Sequence, residues 1–194
     1  MRIVGGTFKG RTISAPHGRD TRPTADRVRE GMFSAVVARL GTLEDAVVAD
    51  LYAGSGALGF EALSRGARHV TFVERADAAS RVIRANAGQL GVPAGAYELL
   101  RNPAEALSRR TLPVGPVSLL LLDPPYKLGA GPVCSLLQDL AATGWLAVDA
   151  LIVFEHAASE GIVWPDGFVG DGELRYGDTG ISLGWFQPDG SGDE

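Results

Sequence analysis

Cysteine is almost missing from this 194-residue chain: Cys134 stands alone and no intrachain disulfide can form. Histidine is nearly as scarce, with His17, His69 and His156 scattered along the chain, so nothing has the spacing of a zinc or iron site and no metal is expected. Long apolar runs are missing too. Residues 117–122 and 147–154, the latter interrupted by Asp149, fall far short of the roughly 18 to 20 residues a membrane-spanning helix requires. The amino terminus MRIVGGTFKG lacks the apolar stretch of a secretory signal. These absences together predict a reducing, cytoplasmic setting without membrane association. No internal repeat is visible, and the length excludes two large domains. With 45% hydrophobic and 21% charged residues, the chain can bury a core, which excludes disorder and predicts one α/β unit with a small appendage. A monomer is expected, although composition does not fix the oligomeric state.

Lysine is scarce as well, only Lys9 and Lys127 among 18 basic residues, and the charge is unevenly spread beneath a net of -5. Residues 1–30 hold seven basic side chains (Arg2, Lys9, Arg11, Arg19, Arg22, Arg27, Arg29) and three acidic ones, a balance of +4 that leaves -9 for the rest. A basic segment on an acidic body suits a polyanion partner, because Lys and Arg displace counterions condensed on phosphates. A solvated basic surface gives the same balance.

Two short β-like runs, 2–4 and 11–14, flank Gly5, Gly6 and Gly10 and read as an N-terminal hairpin spanning residues 1–21 with its loop. It presents Lys9, Arg11 and Arg19, so a chain beginning near Arg22 is expected to keep any ligand held by the body and lose docking to a polyanion. The competing expectation is that Ile3, Val4, Phe8 and Ile13 pack the hairpin onto the body. Thr24 then caps a helix in which Val28, Met32, Phe33, Val36, Val37 and Leu40 recur at helical spacing, closed by Gly41.

From residue 46 strands and helices alternate. Strands are expected at 46–52, 69–74, 97–101, 117–122 and 151–156, and helices at 57–65, 77–90, 103–110 and from Pro132 to Leu140 or beyond. Continuous apolar strands in such an alternation predict a parallel sheet between helix layers. Residues 173–176 and 180–186, joined by Gly177-Asp178-Thr179, predict a terminal β-hairpin, which brings the sheet to seven strands. Residues 188–194 are polar and expected to be a frayed, disordered tail.

The first strand runs into Asp50-Leu51-Tyr52-Ala53-Gly54-Ser55-Gly56-Ala57-Leu58-Gly59, a G-x-G-x-x-G between strand and helix. Glycine there lets backbone approach a ligand closely, and Glu74, 20 residues after Gly54 at the end of the next strand, can accept bonds from ribose hydroxyls. Gly56 in particular is expected to meet a nucleoside-containing cofactor with no room for a side chain. The fourth strand ends in Asp123-Pro124-Pro125-Tyr126, which should share the crevice at the strands' carboxyl ends. A carboxylate and a proline carbonyl can accept both hydrogens of an exocyclic amine, while an aromatic ring stacks on the attached base.

These stretches, with Arg22-Pro23-Thr24, Arg27-Val28-Arg29-Glu30, Glu61 to Arg65, Gly5 to Arg11 and Tyr176 to Thr179, resemble the bacterial 16S rRNA guanine-N2 methyltransferases of the RsmD type. The resemblance implies a Rossmann-like class I methyltransferase fold over residues 22–187 with S-adenosylmethionine as methyl donor. It implies methylation of guanine 966 of 16S rRNA in a small ribosomal subunit or its assembly intermediate. By it, Asp123, Pro124, Pro125 and Tyr126 are the expected catalytic residues. Asp50, Tyr52, Gly54, Ser55, Gly56, Gly59, Glu74, Asn102 and Asp123 are expected to hold the cofactor. Relatives carry an acid that binds the adenine amino group where this chain has Asn102, whose amide oxygen can still accept that bond. Lys9, Arg11, Arg19, Arg22, Arg27, Arg29 and Lys127 are expected to contact RNA. The tetrapeptide also serves methyltransferases acting on adenine N6 or a glutamine amide. A nicotinamide oxidoreductase explains only the glycine loop and Glu74, and a non-catalytic RNA-binding assembly factor would have no use for an intact Asp123.

Overall fold

The computed structural model describes residues 1–16, 24–109 and 114–188. Helix α1 (Thr24–Leu40) leads into β1 (Val47–Leu51), α2 (Ala57–Ser64), β2 (His69–Val73), α3 (Asp77–Leu90), β3 (Tyr97–Leu100), β4 (Val117–Leu122), α4 (Ala130–Ala142), β5 (Leu146–Ala157), β6 (Phe168–Tyr176) and β7 (Thr179–Phe186). The seven strands form one sheet in the order β3-β2-β1-β4-β5-β7-β6. Strands β1 to β5 are mutually parallel, and β7 enters antiparallel between β5 and β6.

Alternation along the strands divides the apolar residues between two cores, which is why runs such as VVADL and VSLLLL carry almost no polar residue. One face sets Val48, Leu119, Leu121, Leu151 and Val153 against Val28, Met32, Phe33 and Val36 of α1, with Phe60 and Ile83 from α2 and α3. The other sets Ala49, Leu51, Leu120, Leu122, Ile152 and Phe154 against Val133, Leu136, Leu137 and Leu140 of α4. Gly91 closes α3 in the left-handed region at φ 66°, its N–H returning to the carbonyls of Ala87 and Gly88.

Several boundaries depart from the sequence expectation, each for a local reason. Residues 104–109 form a 3-10 turn in place of an α-helix; Ala104 and Leu107, three apart, are the buried pair, a spacing that suits three residues per turn. Strand β5 starts five residues early at Leu146, because the exposed stretch around Val148 and Asp149 hides the strand pattern. Strand β6 starts at Phe168, and a register shift between Gly170 and Glu173 breaks its alternation.

The N-terminal segment folds back on itself in a short antiparallel pairing: Arg2 bridges Thr12, Ile3 N–H donates to Arg11 O at 3.0 Å, Gly10 N–H to Ile3 O at 2.9 Å and Ile13 N–H to Met1 O at 3.0 Å. Backbone groups between the two runs turn to α2: Val4 N–H donates to Glu61 Oε2 at 2.9 Å, Thr7 N–H to Ser64 O at 2.7 Å and Phe8 N–H to Ser64 Oγ at 2.8 Å. Ile3 and Ile13 are fully buried in the α1–α2–α3 core, so residues 1–16 share that core with the body. Residues 189–194, most of the expected tail, lie outside the described residues.

Candidate active site

The register of the parallel strands lines up the residues that follow them. Leu100 pairs with Val73, Val73 with Leu51, Leu51 with Leu122, and Leu122 with Phe154. The next row therefore reads Arg101, Glu74, Tyr52, Asp123, Glu155 across the carboxyl edge of the sheet. The ladder continues into it: Glu74 N–H donates to Leu100 O at 3.1 Å and Asp123 N–H to Leu51 O at 3.5 Å. Strands β1 and β4 are neighbours whose connections leave in opposite directions, the point where open α/β sheets bind ligands.

The glycine loop crosses this edge. Gly54 and Gly56 have positive φ, 58° and 78°, and so does Tyr52 at 62°, an unusual conformation for a side chain of that size. The Tyr52 hydroxyl donates to Glu105 Oε1 at 2.9 Å, and burial, together with that carboxylate, raises its pKa. Two carboxylates organise the loop from below. Gly54 and Ala76 N–H donate to the two oxygens of Glu74 at 2.9 and 2.7 Å, and Gly59 N–H donates to Asp50 Oδ2 at 2.9 Å. Each Glu74 oxygen keeps a further lone pair for a ligand hydroxyl. Gly59 permits close packing of α2 on β2, since a Cβ there would lie 2.3 Å from Phe72. Gly56 behaves differently from expectation: its Cβ would strike Phe60 at 2.7 Å and Phe72 at 3.1 Å, so it faces the protein's own core and not the ligand side of the loop.

Two residues of this region were not read from the sequence. Asn86, fully buried on α3, donates to the carbonyls of Ser14 and Ser55, both at 3.0 Å, and accepts from Ser14 N–H at 2.8 Å. It ties the N-terminal segment to the glycine loop, and Ser55 Oγ also lies 3.4 Å from Met1 Sδ. A polar residue at an apolar helical position was its only signal. The second is Glu155, an acid ending an otherwise apolar run, whose place beside Asp123 follows from the register of β4 and β5.

The row, with Asp50 on β1 behind it, gathers four carboxyl groups. Burial pushes the Asp50 carboxyl up to about 8 against the pull of the Gly59 N–H, with Asp123 and Glu74 adding to the rise. Glu155 is likewise raised to about 8, by burial and then by Asp123, with Arg29 opposing. Such a pocket suits a ligand that carries hydroxyls and positive charge. Asn102 lies half-buried two residues beyond β3, next to Arg101 in the row. Pro124 is buried and Pro125 exposed, its carbonyl accepting from Leu128 N–H at 2.8 Å. The side chain of Tyr126 lies outside the described residues.

The expected RNA contacts scatter. Lys9, Arg27 and Lys127 are exposed, and Arg19 and Arg22 lie outside the described residues. Arg11 donates to the carbonyls of Leu90, at 2.8 Å, and Gln89, so it caps the end of α3. Arg29 is only 5% exposed and donates to Arg2 O at 2.5 Å and Asp26 Oδ1 at 2.6 Å. Its charge faces inward, where a contact with RNA is not available.

Residues 1–185 match the family described as Conserved hypothetical protein 95. Over 163 residues the chain is 36% identical to Ribosomal RNA small subunit methyltransferase D of Escherichia coli K12, covering 84% of this chain and 77% of that protein. The chain belongs to this RsmD-type family. The Haemophilus influenzae protein of the same name is 30% identical over 167 residues, 86% of this chain and 83% of its own. Among solved structures, an Escherichia coli protein named "Putative methyltransferase yhhF" superposes with a TM-score of 0.82 at 31% identity, over 97% of this chain and 99% of that one. The RsmD-type resemblance read from the sequence is thus borne out for family and fold: the strand order above is a Rossmann-like class I methyltransferase sheet. Among the described residues, no helix is long and apolar enough to cross a membrane, and no group of three His, Cys, Asp or Glu is placed to hold a metal ion.

Proposed function

We propose that this protein uses S-adenosylmethionine to methylate the exocyclic N2 of a guanine in small-subunit rRNA, position 966 in conventional numbering, on an assembly intermediate of the small ribosomal subunit. The observation that carries the reading is the in-register placement of Asp123 beside the Tyr52–Gly59 loop and Glu74. It sets an acceptor for an amine against a cofactor pocket in a family whose Escherichia coli member is named for small-subunit rRNA methylation. S-adenosylmethionine supplies a methyl group on a positively charged sulfur. Glu74 accepts from the ribose hydroxyls, and Asp50 and Asp123 favour the cation.

The amine lone pair of guanine is delocalised into the ring and is a poor nucleophile. Asp123 and the Pro124 carbonyl accept its two N–H bonds, localising the lone pair and aiming it at the methyl group. Alignment of the reacting atoms contributes much of the rate. Asp123 therefore has no need to be a strong base, since N2 becomes acidic as the new bond forms and loses its proton afterwards. The base must leave its stack to enter the site, and the Tyr126 ring would receive it, stacking being worth about 1 to 3 kcal/mol.

The test is incubation with isotopically labelled S-adenosylmethionine and small subunits from cells lacking the activity, followed by nucleoside analysis. N2-methylguanosine at one site is the expected product. N6-methyladenosine, or label in protein only, would overturn the assignment.

A further inference from the structure

Glu155 is the acid of the row that the mechanism above leaves without a task. It follows Phe154, the register partner of Leu122, so it stands beside Asp123 on the adjacent parallel strand, with backbones about 4.8 Å apart. The alternation that puts Leu119, Leu121, Leu151 and Val153 into the α1-side core makes Asp123 and Glu155 the next residues on that same face. Arg29 comes down on this face from α1. Two of its bonds are taken by Arg2 O and Asp26 Oδ1, while its Nε is buried without a hydrogen-bond partner. A guanidinium sealed from water with one donor unused is a strong local source of positive potential. Arg29 favours the ionised form of Glu155 against burial, the larger effect, and the like charge of Asp123, which together raise its pKa to about 8; an N–H donor brought to the carboxyl favours the ionised form further.

On guanine the donors N1–H and N2–H2 lie side by side, so a base whose N2 hydrogens are held by Asp123 and Pro124 presents N1–H next to them. The adjoining acceptor in the row is Glu155. Adenine offers an unprotonated N1, whose lone pair a carboxylate repels, and 2,6-diaminopurine offers that same N1 while keeping the 2-amino group. Guanine N2 is then chosen by a pair of neighbouring acids, one on the amine and one on the ring N–H.

Resting on the guanine-N2 reading, we propose that Glu155 is the specificity-determining residue of this site, accepting N1–H of the flipped guanine.

The test uses the whole protein and small subunits reconstituted from ligated 16S rRNA carrying either guanine or 2,6-diaminopurine at the methylated position. Wild-type protein is expected to prefer guanine by about ten- to a hundredfold in kcat/KM, the range for one hydrogen bond to a charged partner. In Glu155→Gln the amide can donate to an unprotonated N1 as well as accept, so the preference should collapse to within about threefold of unity. Circular dichroism and calorimetric titration with S-adenosylmethionine confirm that the variant is folded and loads cofactor. Equal losses on both bases in Glu155→Gln, or equal use of both bases by the wild type, would overturn the assignment of N1 recognition to Glu155 while leaving the N2 reading intact. Absence of N2-methylguanosine from the wild-type reaction on guanine particles overturns the N2 reading itself, and this proposal with it.

Discussion

Gly56 is bound by two constraints, a φ of 78° and a Cβ position already occupied by Phe60 and Phe72. A side chain there must strain the backbone by about 1 to 2 kcal/mol and displace two core aromatics, so Gly56→Val is expected to lower the melting temperature of the cofactor-free protein. An unchanged melting temperature with weakened cofactor binding would instead return Gly56 to the ligand side of the loop. Asp123→Ala should do the opposite, abolishing methyl transfer while calorimetry still detects S-adenosylmethionine binding; near-normal turnover would remove Asp123 from the reaction. Asp50 allows a test by pH. Its folded-state pKa of about 8 lies above the ordinary value of 3.8, so between these values the folded chain holds more protons than the unfolded chain. Stability of the cofactor-free protein should then fall as pH rises from about 4 to 8 and level off above, with Glu155 acting in the same direction. Asp50→Asn keeps an acceptor for Gly59 N–H and removes the titration, so urea unfolding at pH 5 to 8 should show a flatter slope than wild type. Saturating S-adenosylmethionine should also flatten it, because a cation favours the ionised carboxylates.

Helix and strand identities were legible because apolar runs and glycine stops repeat along the chain, and the loop after β1 was legible because strand, glycines and Glu74 fall in sequence. The seat of the N-terminal turn was not, because its partners are distant in sequence: Ile3 and Ile13 belong to a core built by α1, α2 and α3, and Val4 N–H is the partner of a fully buried Glu61. Glu61 also pairs with Arg65 at 2.9 Å, so losing the segment strips one bond from a buried carboxylate. It also frees Asn86 from Ser14, and Asn86 supports Ser55 in the cofactor loop. Removal of the segment is therefore expected to impair folding and cofactor binding, where the charge reading alone expects a chain beginning near Arg22 to load normally. Ile3→Ala isolates the packing part, with an expected cost of about 2 to 5 kcal/mol in urea unfolding. A cost below about 0.5 kcal/mol, the usual level for a surface position, would show that the segment only rests on the body. Arg29 illustrates the same limit of local reading: composition gives its charge, and only the fold shows that Arg2 O and Asp26 enclose it.

Across the whole molecule, the direction of the helices decides which basic residues can serve the crevice. Helices α2 and α3 start at the carboxyl edge of the sheet, where the site lies, and run to the opposite edge. Their eight and 14 residues span about 12 and 21 Å at 1.5 Å per residue. The turn carrying Lys9 is bonded to Ser64 at the end of α2, and Arg11 to Leu90 at the end of α3. Both cations therefore sit at the edge away from Asp123. Arg27 lies in the first turns of α1, near the level of Arg29 and Glu155, and Lys127 follows Asp123 by four residues; both are exposed. On the proposed reading, an rRNA strand that feeds a base to Asp123 crosses this second edge, so its phosphates should depend on Arg27 and Lys127 more than on Lys9. Two double reversals compare the edges. Arg27→Glu with Lys127→Glu should leave the melting temperature and cofactor affinity unchanged, impair methylation of small subunits, and flatten log affinity against log salt by about 1.4 to 1.8, at about 0.7 to 0.9 per phosphate contact. Lys9→Glu with Arg11→Glu should lower the melting temperature through the lost cap on α3 and change the salt slope little. If the second pair flattens the slope and the first does not, the RNA approaches across the amino edge, and the sign of the N-terminal charge was the better guide to docking than its position.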